Sequence, residues 1–269
     1  MSEPVLLEEI RDSVALLTLN RADRLNAING ELMEALLEAT RRLAADDTVR
    51  AVLLAGAGRA FCSGGDIREG DRRRDAQGAP ARKPEFDEQV WSRYSRMQTA
   101  RYLQEMPKPT IAMIRGAAVG AGLSLSLACD FRIASETAVL RSAFASAGLS
   151  GDYGIGQSLT RLVGRARAAQ VLMLSEKIDA TAGLQLGLLT RVITDDRLEE
   201  ETWSFVRQLA TGPTFAYGRI KANLANAHLP PEQYLLEEVR NQTRCHQTDD
   251  VREAGRAFVD KRAPQFKGR

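Results

Sequence analysis

The run Val49 to Ala55 (VRAVLLA) constrains the fold most: beyond Arg50 its apolar residues do not alternate with polar ones. An unalternated run of that length marks a strand buried on both faces, which is usual in parallel sheets covered by helices. The segment before it has a different period. From Gly30, apolar Leu32, Leu36, Ala39 and Leu43 recur every three or four residues, with Glu31, Glu34, Glu38, Arg41 and Arg42 between them. That spacing predicts an amphipathic helix. Val14 to Leu19 (VALLTL) reads as a further strand, so strand, helix and strand follow in the order of an α/β crossover unit.

Further along, Phe86 to Met106 returns to helical spacing and stops at Pro107-Lys108-Pro109. Thr110 to Ile114 is a strand, followed by the glycine-rich Gly116 to Gly122 (GAAVGAG) and the small, apolar Leu123 to Cys129. A strand entering a glycine turn and a buried helix fits that order. Phe131 to Ser135 and Ala138 to Arg141 are short strands, Gly164 to Ser175 and Thr181 to Leu186 helices, and Leu188 to Ile193 a strand. Beyond Leu198 every apolar segment has helical spacing. Arg68 to Pro84 has four arginines within seven residues and no apolar stripe, so a mobile surface loop or frayed helix is expected there.

Several function classes recede on composition. A net charge of +2 lacks the basic surplus of a nucleic-acid binder. No apolar run reaches the ~18 residues that span a bilayer. The acidic start Met1-Ser2-Glu3-Pro4 has no apolar signal region, and Cys62, Cys129 and Cys245 form no CxxC pair. A cytoplasmic location with reduced thiols is expected. The two histidines, His228 and His246, leave little material for a histidine triad or metal site and are expected on solvent-facing helices.

Three segments can carry chemistry. In Ala60-Phe61-Cys62-Ser63-Gly64-Gly65-Asp66-Ile67, paired glycines permit a tight turn with exposed N–H groups, and Asp66 can cap a helix. A plain strand-to-helix connection would use the same residues. Gly120-Ala121-Gly122 puts free amides at a helix N-terminus, where a negative oxygen is stabilised; close helix–sheet packing would also call for these glycines. The GxxxGAG order is not a dinucleotide fingerprint. In Gly148-Leu149-Ser150-Gly151-Asp152-Tyr153-Gly154-Ile155-Gly156, Asp152 is a carboxylate among glycines and apolar residues. It could be an N-cap worth about 1 kcal/mol, a desolvated general base or a nucleophile.

Taken in order, these segments resemble the enoyl-CoA hydratase/isomerase family, the crotonase superfamily. The resemblance runs from Asn20-Arg21 and Leu25-Asn26-Ala27 through AFCSGGDI, PKPTIAMIRGAAVGAG, ACDFRIAS and GLSGDYGIGQSLTRLVG to Ala257-Phe258-Val259-Asp260-Lys261-Arg262-Ala263-Pro264. It implies a crotonase-like spiral of repeated ββα units over residues 1–195. A helical region over residues 196–269 would serve oligomerisation and cover CoA. It implies an acyl-CoA thioester substrate, with CoA arriving as part of that substrate and neither metal nor cofactor, and a homotrimer or dimer of trimers.

By the same resemblance the N–H groups of Gly65 and Ala121 form an oxyanion hole. Asp66, Ile67 and Arg68 line the CoA path beside them, and Arg24, Arg68 and Lys261 reach its phosphates. Hydratases of the family carry two glutamates, and the matching positions here hold Ser124 and Phe144. Glu69, Asp71 and Glu85, in or beside the loop from Arg68 to Pro84, could supply a second carboxylate. Asp152 falls where some isomerases keep a catalytic aspartate and where the dehalogenase of the superfamily keeps a nucleophile. Double-bond isomerisation with Asp152 as acid/base is therefore expected ahead of hydration, of an aspartyl-ester route, and of a low-activity acyl-CoA-binding protein.

Overall fold

The computed structural model describes residues 3–66 and 85–269. The chain opens with an antiparallel pair, β1 (Leu6–Arg11) and β2 (Val14–Leu19). Helix α1 (Gly30–Ala45) follows, and β3 (Ala51–Gly56) returns parallel to β2. The next helical segment is two helices where the spacing suggests one: α2 (Phe86–Arg96) and α3 (Gln98–Glu105) meet at Met97. Then come β4 (Thr110–Ile114), β5 (Ala117–Val119), α4 (Ala121–Ala128), β6 (Phe131–Ser135) and β7 (Val139–Arg141). Helix α5 (Ile155–Leu174), β8 (Ile178–Asp179), α6 (Ala180–Gln185) and β9 (Arg191–Ile193) complete the mixed portion. The remainder is helical: α7 (Leu198–Ala210), α8 (Thr214–Ala225), α9 (Pro231–His246) and α10 (Asp249–Val259).

Among the described residues the larger sheet has the order β1-β2-β3-β4-β6-β9, and the smaller one β5-β7-β8. Period two explains how the apolar runs serve two cores at once. Ala15, Leu17, Leu19, Val52, Leu54, Ala112, Ile114 and Ala134 face the core that holds Leu32, Leu36 and Leu43 of α1 and Leu123 and Leu125 of α4. Their alternates Val14, Ala51, Leu53, Ile111 and Ile133 pack instead against Leu198, Trp203, Val206 and Ala210 of α7. Strand β3 is buried from Ala51 to Ala55 because it lies between β2 and β4 with a helical layer on each side. Strand β1 is the polar exception at the sheet edge, where Glu8, Glu9 and Arg11 stay in water.

The element boundaries differ from the sequence expectation where local signals are short or double-edged. Helix α5 begins at Ile155, nine residues before Gly164, whose φ of 72° and ψ of 164° kink it part-way. Residues Leu188 to Thr190 precede β9 as a turn and do not extend it, since Leu188 and Leu189 donate their amides to Gly183. Helix α1 starts where the spacing suggests and is capped by Asn29, whose side chain accepts from the Leu32 amide at 2.9 Å. The loop expected over Arg68 to Pro84 lies outside the described residues. Among the described residues no helix is long and apolar enough to cross a membrane.

Candidate active site

After β3 the chain doubles back as a strand-like segment held on both sides. Cys62 pairs with β5: its amide donates to the Ala117 carbonyl and its carbonyl accepts from the Val119 amide, both at 2.9 Å. Two residues on, the partner is Ile28, whose amide donates to Gly64 O at 2.7 Å and whose carbonyl accepts from the Asp66 amide at 2.9 Å. A parallel bridge of this kind uses the groups that flank Gly65 and turns the Gly65 N–H to the opposite side. Among the described residues that N–H meets no acceptor.

Side chains fix the same segment. Arg21 donates to Asp66 Oδ2 at 2.8 Å and also to the Ala27 carbonyl, and both partners of this ion pair are largely buried. Asn26, fully buried, ties the Ala57 and Ala60 carbonyls through its amide nitrogen at 2.9 and 2.7 Å. Asp66 is thus directed inward to Arg21. The anchoring role of Arg21 and Asn26 was not read from the sequence, although both lie in motifs that carry the resemblance.

The second segment is the entry to α4. Gly120 has a φ of 54° and donates its amide to the Arg141 carbonyl, which turns the chain from β5 into the helix. Ala121 is the first helical residue, so its N–H has no partner within the helix. None is found elsewhere among the described residues. The glycines here also serve close packing: a Cβ on Gly122 would fall 2.5 Å from the Cys62 carbonyl oxygen. The two segments therefore touch through their backbones, and among the described residues the amides of Gly65 and Ala121 are left without an acceptor.

One turn into α4, Ser124 is fully buried, and its Oγ lies 3.0 Å from Asp152 Oδ1. Asp152 stands in the glycine-rich loop just before α5, half-buried, with Tyr153 buried beside it. Burial pushes the Asp152 carboxyl from its ordinary 3.8 up to about 6, partly offset by the Ser124 hydrogen bond. Its Oδ2 has no hydrogen-bond partner among the described residues. Phe144, buried at the start of a single helical turn (Ala145–Ala147), accepts amides from Ala147 and Leu149 on its carbonyl. Cys62 is buried near Asp152, and its thiol is pushed up to about 12, mainly by burial, so it stays neutral.

Other expected residues are not gathered here by this chain alone. Arg24 is exposed and pairs with Asp23 at 3.3 Å. Lys261 is exposed just past the end of α10. Ile67, Arg68, Glu69 and Asp71 lie outside the described residues. Glu85 is the exposed N-cap of α2, in a capping box with Glu88. His228 lies in the turn after α8, not on a helix, and His246 ends α9; both are exposed. Among the described residues no group of three or more His, Cys, Asp or Glu could hold a metal ion.

Among the described residues, two amides without an acceptor and a desolvated carboxylate suit acyl-thioester chemistry. The model of the enoyl-CoA hydratase/isomerase family matches residues 9–269. The chain belongs to that family. It is 37% identical over 265 residues to the 1,2-epoxyphenylacetyl-CoA isomerase of Escherichia coli K12, covering 98% of both chains. It is 35% identical to a "Probable enoyl-CoA hydratase" of Rhodobacter capsulatus, covering 100% of both. The crystal structure of an enoyl-CoA hydratase from Polaromonas sp. JS666 superposes with a TM-score of 0.87 at 30% identity, covering 97% of this chain and 99% of that one. The fold is the α/β crotonase fold, with two sheets and C-terminal helices. The protein is a crotonase-family enzyme whose family implies an acyl-CoA substrate. Its relatives divide between isomerases and hydratases.

Proposed function

We propose that this enzyme shifts the double bond of an enoyl-CoA, with Asp152 as the single acid/base and the Gly65 and Ala121 amides as the oxyanion hole. The observation that carries this reading is Asp152 itself, a half-buried carboxyl with one oxygen unbonded among the described residues and a pKa raised to about 6. A base with a pKa near the working pH takes a proton readily and gives it back readily. In the shift, the C–H bond next to the thioester carbonyl breaks and its proton moves to Asp152. The electron pair delocalises into a dienolate whose charge rests on the thioester oxygen. Asp152 then returns the proton at the far end of the former double bond, and the new alkene is conjugated with the carbonyl.

Two preorganised amides suit that charge, because each stabilises the dienolate more than the neutral thioester. One such donor is typically worth about 3 kcal/mol of barrier. Hydration in this family's two-carboxylate manner needs a second group to activate water. Ser124 and Phe144 occupy the positions where the hydratases keep theirs. The name of the Escherichia coli relative supports an isomerase as well.

We also propose that the chain assembles as a homotrimer or dimer of trimers. Exposed apolar residues on α9 (Leu235, Leu236, Val239) and at the end of α10 (Phe258, Val259) support this. Residues 1–195 would form the catalytic spiral, and residues 196–269 would serve assembly and CoA cover. In that assembly Lys261 would meet the CoA of a neighbouring subunit.

The deciding experiment is Asp152→Asn with a short-chain 3-enoyl-CoA as substrate. Turnover should fall by at least a thousandfold while affinity for the CoA ester stays within a fewfold. Full turnover in the variant, or faster hydration of the 2-enoyl ester than isomerisation in the parent, would reject the reading.

A further inference from the structure

Ser124 is a hydroxyl with one proton and two acceptors. Its Oγ lies 3.0 Å from Asp152 Oδ1 and 3.1 Å from the Gly120 carbonyl oxygen. That carbonyl already accepts the Ser124 amide at 3.0 Å, as the first bond of α4. The hydroxyl can therefore leave Gly120 without stranding a buried acceptor. The carbonyl of Gly120 also belongs to the same peptide unit as the Ala121 N–H. A hydrogen bond on the oxygen of a peptide polarises it and strengthens the N–H as a donor.

We propose that Ser124 is a positioning residue that couples the Asp152 carboxylate to the oxyanion-binding amide of Ala121. The proposal rests on the reading of Asp152 as the acid/base. While Asp152 is ionised, the serine proton lies toward Oδ1. It holds that oxygen in place and leaves Oδ2 as the atom that meets substrate. When Oδ2 takes the substrate proton, the carboxyl loses its charge and Oδ1 becomes the poorer acceptor. The serine proton then turns toward the Gly120 carbonyl at the moment when negative charge arrives on the thioester oxygen. No net proton passes through Ser124: one C–H bond breaks, one O–H bond forms on Asp152, and a hydroxyl rotates. Returning the proton to carbon reverses the same rotation.

The surroundings leave this control to Ser124. Among the described residues the titratable groups that sense the Asp152 charge are Cys62, from the segment after β3, and the adjacent Tyr153; both are held neutral by burial. Helix α4 is uncharged along its length, and the first turn of α5 has no acidic residue. Among the described residues no arginine or lysine contributes to the shift at Asp152.

The test uses Ser124→Ala and Ser124→Thr in the full chain, with two readouts. One is the pH profile of kcat/KM on a short-chain 3-enoyl-CoA. The other is the absorbance of the enolate formed when acetoacetyl-CoA binds, which needs no turnover. Ser124→Ala should move the acid limb upward by about one pH unit, since the charged carboxylate loses its donor. It should also lower kcat about tenfold with KM within threefold, and reduce the bound enolate fraction at fixed pH. Ser124→Thr, which keeps the hydroxyl, should restore the acid limb. A wild-type profile and enolate fraction in Ser124→Ala overturn the proposal, as does equal loss in both variants, which would mark a packing role. If Asp152→Asn is inactive while Ser124→Ala behaves as wild type, the coupling alone fails. If Asp152→Asn keeps full turnover, the acid/base reading fails and the coupling falls with it.

Discussion

Gly64 and Gly120 meet backbone against backbone: a Cβ on Gly64 would lie 3.8 Å from Gly120 Cα and 3.1 Å from the carbonyl oxygen of its neighbour Val119. This contact holds the two segments that carry the Gly65 and Ala121 amides. Gly64 has a φ of +104°, which a residue with a side chain adopts only under strain, whereas a Cβ on Gly65 would meet none of the described residues within 4 Å. The adjacent glycines therefore answer to different demands, one of folding and one of the site.

Alanine at each position should separate these demands. Gly64→Ala is expected to lower the melting temperature, through a cost of about 1–3 kcal/mol for a strained backbone, and to lose activity with it. Gly65→Ala should leave the melting temperature within about a degree while kcat/KM falls at least tenfold, because the new methyl enters the space left for substrate. Thermal melts set beside kinetics on both variants check this. A destabilised but fully active Gly65→Ala would contradict it.

The pH dependence of stability follows from the buried carboxyl. Between its ordinary 3.8 and the value of about 6 in the fold, folded Asp152 holds more proton than the unfolded chain does. Its contribution to stability therefore falls as pH rises through that window and is level above it. Asp152→Asn removes the ionisation. It should melt higher than wild type at pH 8 and at nearly the same temperature at pH 4. In wild type kcat/KM should climb with pH through about 6 and then level off, as the base form fills. A constant difference in melting temperature between the two proteins at both pH values would show that Asp152 ionisation carries no stability cost.

Much of this was legible in the sequence because periodicity and glycine placement are local. The apolar runs at Val14 to Leu19 and Val49 to Ala55 give β2 and β3, and the three-to-four spacing from Gly30 gives α1. Gly164 misled, because a glycine that commonly marks a helix end here sits inside α5 as a kink. Strand β1 carries Glu8, Glu9 and Arg11 on a sheet edge, so no apolar pattern announces it. In the small sheet β7 falls within the strand expected at Ala138 to Arg141, whereas β5 and β8, three and two residues long, are too short for any period to show. In the site, Gly65, Ala121 and Asp152 were legible as candidates from their motifs. The pairings were not: Ser124 with Asp152 spans 28 residues and Arg21 with Asp66 spans 45. Both depend on how helices and loops dock, which spacing along a chain does not encode.

Phe258 is 86% exposed and Val259 77% exposed at the end of α10, two residues before Lys261. Leu235, Leu236 and Val239 are more than half exposed on α9, and Met173 and Leu174 at the end of α5 are in the same condition. Fully burying one side chain of this size contributes about 1.5–3 kcal/mol, so covering several of them would outweigh the cost of ordering a subunit interface. A second copy of the chain is the occupant the family resemblance suggests. Light scattering at micromolar concentration should therefore return three or six times the chain mass. Phe258→Asp combined with Val259→Asp should shift that mass toward the monomer and raise KM for the CoA ester. If Lys261 serves a neighbour's CoA, Lys261→Ala should raise KM in the intact oligomer and leave its mass unchanged. A wild-type monomer would remove the reason for these exposed residues and for Lys261 together.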